Sequence, residues 1–172
     1  MKRVDSRTEW EGRIATVRVD TFRFDDGEEA EREIVAHPGS AGVVAHDGEH
    51  VFLVRQPREA VDDPALLELP AGKLDEDGEE PLDTARRELA EEVGKGARSW
   101  RRITSFYTSP GFSDEECHLF LATDLYDEAA DGEEMERIEI VAAPLAELDD
   151  VIRDCSDAKT LVGLLWLRAY ER

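Results

Sequence analysis

The sequence predicts a mixed α+β fold, an α/β/α sandwich in which helices pack on a mixed β-sheet. Three observations favour this fold. Short stretches with strand-like alternation occupy much of the chain. One stretch with helical spacing interrupts them at residues 81–93, and two more helical stretches close the chain. Strands that enclose one helix and precede others are typical of layered folds with both element types.

The first part of the chain predicts a β-rich segment. Apolar and polar residues alternate from Ile14 to Thr21, and FRFDDGEE supplies a turn before the returning strand EREIVAHPGS. Next, AGVVAHDGEHVFLVRQ predicts two strands joined around Asp47 and Gly48, a dipeptide typical of hairpins. After a polar loop, LLELPAG reads as an extended apolar stretch. The sequence therefore begins with a strand meander and no helix.

The central helix is predicted over residues 81–93. Pro81 suits its first turn, and Gly94 suits the position just after its last turn. Strands are then predicted at WRRITSFYTSPGF, ECHLFLATDLY and IEIVAA. Helices follow at PLAELDDVIRDC and SDAKTLVGLLWLRAYER, with Ser156 as the expected N-cap of the last one. One side of the central helix is apolar and consists of Leu82, Ala85, Leu89 and Val93.

Charge separates the classes of function that fit this chain. It has 42 acidic and 21 basic residues, a formal net charge of −21, and so should repel nucleic acid. The acids are spread along the chain, which favours a halophilic protein whose surface charge is screened in molar salt; the alternative is an acidic mesophilic protein. No apolar run reaches the roughly 18 residues of a membrane span. MKRVDSRTEW lacks the hydrophobic stretch of a signal peptide, so a cytoplasmic protein is expected.

Three glutamates on the central helix form the strongest candidate site. Glu88, Glu91 and Glu92 are three or four residues apart and project from nearly one side, away from the apolar stripe. Oxygen ligands of this kind suit Mg²⁺ or Mn²⁺ better than zinc. The alternative is a solvent-facing acidic stripe, because spacing alone does not distinguish the two in so acidic a chain.

The residues around these three glutamates distinguish a metal site from a solvent-facing acidic stripe. GKLDEDGEEPLDTARRELAEEVG resembles the Nudix box, in which a glycine, a glutamate and an Arg-Glu-apolar-x-Glu-Glu-x-Gly segment recur at set spacings. From Glu79 to Gly94 the match is complete. The interval from Gly72 to Glu79 is one residue longer than the family spacing, and Lys95 replaces the final apolar residue.

The resemblance implies a Nudix α/β/α sandwich that hydrolyses a nucleoside diphosphate linked to another group, with Mg²⁺, or Mn²⁺ in its place, as cofactor. It implies that Glu88 and Glu92 bind the metal directly, with Glu91 as a ligand or water-mediated partner. The carbonyl of Ala71 would complete the ligand set. Arg87 would orient the glutamates through charge-assisted hydrogen bonds.

The wider chain resembles the ADP-ribose pyrophosphatase branch of this family. The residues that carry the likeness are VRQPR, LLELPAGKLDE, TSPGFSDE and DAKTLVGLLWL, together with Pro110, sixteen residues past Gly94. By this likeness Arg58 contacts a phosphate or ribose and Arg55 supports it, since a guanidinium matches phosphate oxygens well. Glu68 and Glu115 are expected to contact substrate or metal-bound water.

The catalytic base of this branch comes from a loop before the penultimate strand, here DGEEMERIEI. The family pattern places Glu134 as the base that activates water and Glu136 as a metal or support residue, with Glu133 as the alternative base. A loop position suits a base that closes over its substrate.

The resemblance also implies two regions: a β-strand segment at residues 1–40 that serves as a dimerisation element, and a catalytic domain at residues 41–172. A homodimer is therefore expected. The implied reaction is hydrolysis of ADP-ribose, a small-molecule substrate, to AMP and ribose 5-phosphate, with no nucleic-acid or membrane partner. The alternatives are another ADP-sugar, NADH or an oxidised nucleotide as substrate, or a non-catalytic sensor that binds ADP-ribose or a protein.

Overall fold

The structure is a computed structural model that describes residues 1–74, 78–128 and 138–171. It confirms the predicted mixed α+β fold. The strands of the described residues are β1 Lys2–Glu11, β2 Thr16–Arg23, β3 Glu29–Ala36, β4 Ser40–His46, β5 His50–Arg58, β6 Asp63–Glu68, β7 Ala71–Lys73, β8 Lys95–Tyr107, β9 Glu116–Asp127 and β10 Glu139–Pro144. The helices are α1 Pro81–Val93, α2 Leu148–Asp154 and α3 Ala158–Tyr170.

The chain divides into two compact units. The strand unit consists of Met1–Gly39 and Phe106–Glu116, and the sandwich unit consists of Ser40–Ser105 and Cys117–Arg172. In the strand unit β2 lies between β1 and β3, and both pairs are antiparallel. Every residue of β1 is exposed, and Val19 is the only buried hydrophobic residue that β2 contributes. This sheet therefore has very little apolar core of its own.

A polar cluster stabilises the strand unit instead. Asp20 is fully buried and accepts hydrogen bonds from Ser6 Oγ at 2.6 Å and from Arg18 Nε at 3.0 Å. Burial favours the neutral acid, but these bonds and a further one from Arg3 outweigh it, so the pKa of Asp20 lies below its ordinary value. Arg18 also binds Asp114 at 2.8 Å, which ties β2 to the 106–116 segment.

The sandwich unit has a mixed sheet in the order β10-β5-β4-β9-β8, with β6 paired to β5 and β7 paired to β4. β4 and β9 run parallel, whereas β5 is antiparallel to β4, β6 and β10. Consecutive residues of β4 point to opposite faces of the sheet. Val43 belongs to the core beneath α1, and Val44 lies against Gly163 of α3. The sheet is therefore covered on both faces, as the prediction required.

The boundaries of α1 agree with the sequence prediction. Pro81 is its first residue, and Gly94 adopts a left-handed conformation with φ 70° while its N–H bonds the carbonyl of Ala90 at 2.9 Å. The buried residues of the helix include Ala85, Leu89 and Val93, which pack on the sheet. The opposite side of α1 is thereby left for the acidic residues.

The N-cap of α3 and the surroundings of Lys95 were not predicted from the sequence. Ser156 is not the N-cap of α3; Asp157 is, because its carboxylate accepts the Thr160 N–H at 2.9 Å. At the start of β8, the ammonium group of Lys95 lies 5.5 Å from the centre of the Phe52 ring and 2.7 Å from Asp127. A lysine therefore occupies this usually apolar position by extending its charge to the surface. Within the described part of the chain, no helix is long and apolar enough to cross a membrane.

Candidate functional site

Arg87 gathers the acidic side chains at one side of α1. Its Nη1 donates to Glu88 Oε1 at 2.6 Å and to Glu91 Oε2 at 3.1 Å. Its Nε and Nη2 donate to the two carboxylate oxygens of Glu79 at 3.3 and 3.2 Å. One guanidinium thus orients three carboxylates, but Glu92 is not among them, because the Ala71 N–H bonds its carboxylate instead. By contrast, Asp83 on the same helix is 56% exposed and pairs with Arg86.

The charges in this cluster stabilise one another. Burial alone would lower the pKa of Arg87, but hydrogen bonds to Glu79 and the charge of Glu88 raise it, so the guanidinium stays cationic. The bond from Arg87 in turn holds the pKa of Glu79 below its ordinary value. Thr84 Oγ1 donates a second bond to Glu79 at 2.8 Å. Glu79 is therefore an ionised anchor that fixes Arg87 from the loop before α1.

The turn between β6 and β7 meets the same side of α1. Glu92 is buried, and its carboxylate accepts the Ala71 N–H at 2.9 Å and a weaker bond from Gln56 Nε2 at 3.4 Å. Gly72 lies so close to Glu88 that a Cβ there would be 1.9 Å from Glu88 Oε1. A side chain at this position would displace the Glu88 carboxylate, so glycine at position 72 leaves room for it beside the turn.

The residues present fit a hard divalent cation. Glu88 and Glu92 place carboxylate oxygens beside the Ala71–Gly72 backbone, and Glu91 shares Arg87 with Glu88, a donor set that suits Mg²⁺ or Mn²⁺. Arg87 occupies oxygens of Glu88 and Glu91. Over residues 1–74, 78–128 and 138–171 no three His, Cys, Asp or Glu side chains already converge as a ligand cage. Glu88 and Glu91 would therefore have to reorient for their carboxylates to bind one ion together with Glu92.

A second charged cluster lies at the ends of β5 and β6. Glu68 is 1% exposed, and its carboxylate accepts two bonds from Arg58, from Nε at 2.5 Å and from Nη2 at 2.9 Å. Lys159 of α3 donates to Glu68 Oε2 and also lies 3.1 Å from Asp157. Burial would raise the pKa of Glu68, but the Arg58 bonds and the Lys159 charge outweigh it, so its pKa lies below the ordinary value.

The two clusters are joined through β5 and the β6–β7 turn. Arg58 lies two residues after Gln56, whose side chain bonds Glu92. Ala71, which also bonds Glu92, lies three residues after Glu68. The sequence predicted Arg58 and Glu68 as two separate substrate contacts, whereas the structure pairs them. The prediction also gave no role to Gln56 or Lys159, although both lie within the segments that carry the family resemblance.

The remaining predicted site residues are Arg55, two residues of the strand unit and three residues outside the described ranges. Arg55 Nη1 donates to the carbonyl of Ala65 at 3.2 Å. Pro110 and Glu115 belong to the strand unit, where Glu115 accepts a bond from Thr108 Oγ1 at 2.8 Å. Glu133, Glu134 and Glu136, the candidate bases and their neighbour, lie outside the described residues.

Comparison with known proteins gives a consistent picture. Residues 36–161 match the family model of the NUDIX domain. An ADP-ribose pyrophosphatase of Bacillus subtilis (strain 168) is 39% identical over 93% of this chain and 88% of its own. A methanol dehydrogenase activator of Bacillus methanolicus is 35% identical over 99% and 94%. A crystal structure of an ADP compounds hydrolase superposes with a TM-score of 0.85 at 25% identity, covering 98% of this chain and 92% of the other.

Proposed function

This chain belongs to the NUDIX domain family, and from that premise we propose that it hydrolyses ADP-ribose to AMP and ribose 5-phosphate. The observation that carries the proposal is the carboxylate set on α1: Arg87 holds Glu88 and Glu91, and the Ala71 N–H beside Gly72 holds Glu92. The similar ADP-ribose pyrophosphatase, matched along nearly its whole length, supports this substrate.

Each residue has a part in the proposed reaction. Glu88 and Glu92 hold a divalent cation, Mg²⁺ or alternatively Mn²⁺, with help from Glu91, the Ala71 carbonyl and Glu136. When bound, this ion neutralises phosphate charge and lowers the pKa of an attacking water. Arg87 holds the carboxylates of Glu88 and Glu91.

Other residues are proposed to bind the substrate and to activate the water. Arg58 binds a phosphate oxygen with Arg55 in support, because the Arg58 guanidinium is 42% exposed beside the buried Glu68. Pro110 and Glu115 complete the proposed substrate contacts, and the buried Glu68 contributes by holding Arg58. Glu134 takes the proton from the attacking water, an assignment that rests on the sequence pattern alone.

A substrate panel tests the proposal. We expect kcat/KM with ADP-ribose and Mg²⁺ to exceed the values for ADP-glucose, NADH and an oxidised guanine nucleotide by at least about tenfold, the net worth of one ordinary hydrogen bond. A higher kcat/KM for one of the other compounds would change the assigned substrate, but the proposed hydrolysis of a pyrophosphate bond would still hold. Calorimetric binding of ADP-ribose without any turnover would support the sensor alternative.

We also propose a homodimer in which the strand region at residues 1–40 pairs two copies of the catalytic domain at residues 41–172. Support comes from the poor core of the strand unit, which leaves apolar side chains exposed, among them Trp10 at 58% and Phe112 at 56%. We expect light scattering in molar KCl to give twice the chain mass of 19.3 kDa. The mass of a single chain would contradict the dimer.

The acidic composition leads to a further proposal, that the protein works in a cytoplasm at molar salt. A net charge of −21 repels itself strongly when unscreened, and the Debye length falls to about 3 Å at 1 M salt. We expect the midpoint of thermal unfolding to be about 10 °C higher in 2 M KCl than in 0.05 M KCl, a shift worth a few kcal/mol. A midpoint that is higher at low salt would contradict halophilic adaptation.

A further inference from the structure

Lys159 approaches the buried end of β6 from the first turn of α3. Its ammonium group donates to Glu68 Oε2 although the two residues are 91 positions apart in sequence. Both side chains are well shielded, with 17% of Lys159 and 1% of Glu68 exposed. An ion pair this enclosed is little screened by solvent, so each partner strongly affects the position of the other.

We propose that Lys159 is a positioning residue for phosphate binding: by holding Glu68, it fixes the guanidinium of Arg58 in the orientation that receives the substrate diphosphate. This inference rests on the proposed function, and it adds to that function a residue of α3 that does not itself contact substrate.

The geometry of Arg58 supports this role. Both of its bonds to Glu68 use the Nε and Nη2 side of the guanidinium. The Nη1 corner therefore points away from Glu68, and the side chain is 42% exposed. A guanidinium fixed along one edge presents its remaining N–H groups in a defined plane, which suits a phosphate oxygen pair.

Charge supports it as well. Glu68 with Arg58 alone would form a neutral pair, and the carboxylate would draw the guanidinium inward. With Lys159, two cations share one buried carboxylate. The other partner of Lys159, Asp157, caps the N-terminus of α3, where the helix dipole favours its negative charge. Arg58 therefore shares the Glu68 carboxylate with a second cation, while the charges of Glu92 and Asp157 also act on its guanidinium.

The first turn of α3 is itself rigidly attached to β6. Thr160 is fully buried; it donates through Oγ1 to Asp157 Oδ2 at 2.6 Å and accepts the Leu69 N–H at 2.8 Å. Leu69 follows Glu68 directly, so the backbone that carries Lys159 is tied to the backbone that carries its partner. Lys159 can therefore hold Glu68 in one place.

The test uses Lys159→Met with Lys95→Met as a matched control, since Lys95 is also partly buried and ion-paired, with Asp127. We expect Lys159→Met to raise the KM for ADP-ribose about tenfold with kcat changed less than about threefold, the loss of one hydrogen bond between charged groups. Lys159→Arg should restore most of the affinity. Lys95→Met should leave both constants at the wild-type values.

A double variant separates positioning from a structural role. In an Arg58→Met background, Lys159→Met should raise the KM by less than about twofold, because coupled residues do not add. Calorimetry with a non-hydrolysable methylene analogue of ADP-ribose should give the same pattern of dissociation constants without depending on turnover. Equal effects of Lys159→Met with and without Arg58, or no effect beside Lys95→Met, would overturn the inference.

Failure of the proposed function gives a different result. Wild-type enzyme that turns over another nucleoside diphosphate but not ADP-ribose would refute the substrate. The same variants, assayed on that compound, would still test the coupling between Lys159 and Arg58. If Lys159→Met does not fold, Lys159→Arg and Lys159→Gln provide the comparison, with Arg expected near wild type and Gln with weakened binding.

Discussion

Glu92→Gln is expected to lower kcat for ADP-ribose with Mg²⁺ by about 10³-fold, because a proposed metal ligand loses its charge and the ion contributes several kcal/mol. The fold should persist. A glutamine oxygen can still accept the Ala71 N–H that now bonds Glu92 at 2.9 Å. Steady-state kinetics, with calorimetry of Mn²⁺ binding as a readout independent of turnover, measures the loss.

Asp83→Asn is the matched control for Glu92→Gln. Asp83 lies on the same helix and loses the same charge, but it is 56% exposed and pairs only with Arg86 among the contacts described for it. We expect its kcat and Mn²⁺ affinity to stay within about twofold of wild type, as is usual for surface substitutions. Activity of Glu92→Gln above a tenth of wild type would refute Glu92 as a metal ligand.

Glu134→Gln is expected to lower kcat by about 10²–10⁴-fold with little change in KM, the usual contribution of a general base. The assignment comes from the pattern in DGEEMERIEI, since Glu134 lies outside the described residues. The acidic limb of the pH profile of kcat should disappear in the variant, because that limb reports deprotonation of the base.

Two neighbouring glutamates serve as the comparison for Glu134. Glu133→Gln should retain most of its activity. Glu136→Gln should mainly raise the Mg²⁺ concentration that half-maximal activity requires. If Glu133→Gln loses activity and the acidic limb while Glu134→Gln does not, the role of base moves to Glu133.

Local signals in the sequence predicted α1 well. Pro81, the apolar stripe and Gly94 lie within one helix length and report on the same element. The sequence also predicted a division of its acids from the fixed spacings of Glu88, Glu91 and Glu92 to Arg87, and the assignment of these three to a metal remains a prediction. Position on the helix distinguishes these acids from Asp83, which belongs to the solvated surface.

Contacts made by the tertiary fold were not predictable in the same way. Gln56 meets Glu92 across 36 positions and Lys159 meets Glu68 across 91, and no periodicity in the chain signals either contact. Both depend on how β5 and α3 pack around the β6–β7 turn. The N-cap of α3 was misplaced by one residue because Ser156 and Asp157 are both good caps, and only the bond to Thr160 distinguishes them.

The most direct test of the central claim is product analysis of ADP-ribose incubated with Mg²⁺ and the wild-type protein. The account predicts AMP and ribose 5-phosphate in equal amounts by chromatography, and no product from Glu92→Gln in the same time. Absence of both products from wild-type enzyme at low and molar salt, or equal amounts from wild type and Glu92→Gln, would contradict it.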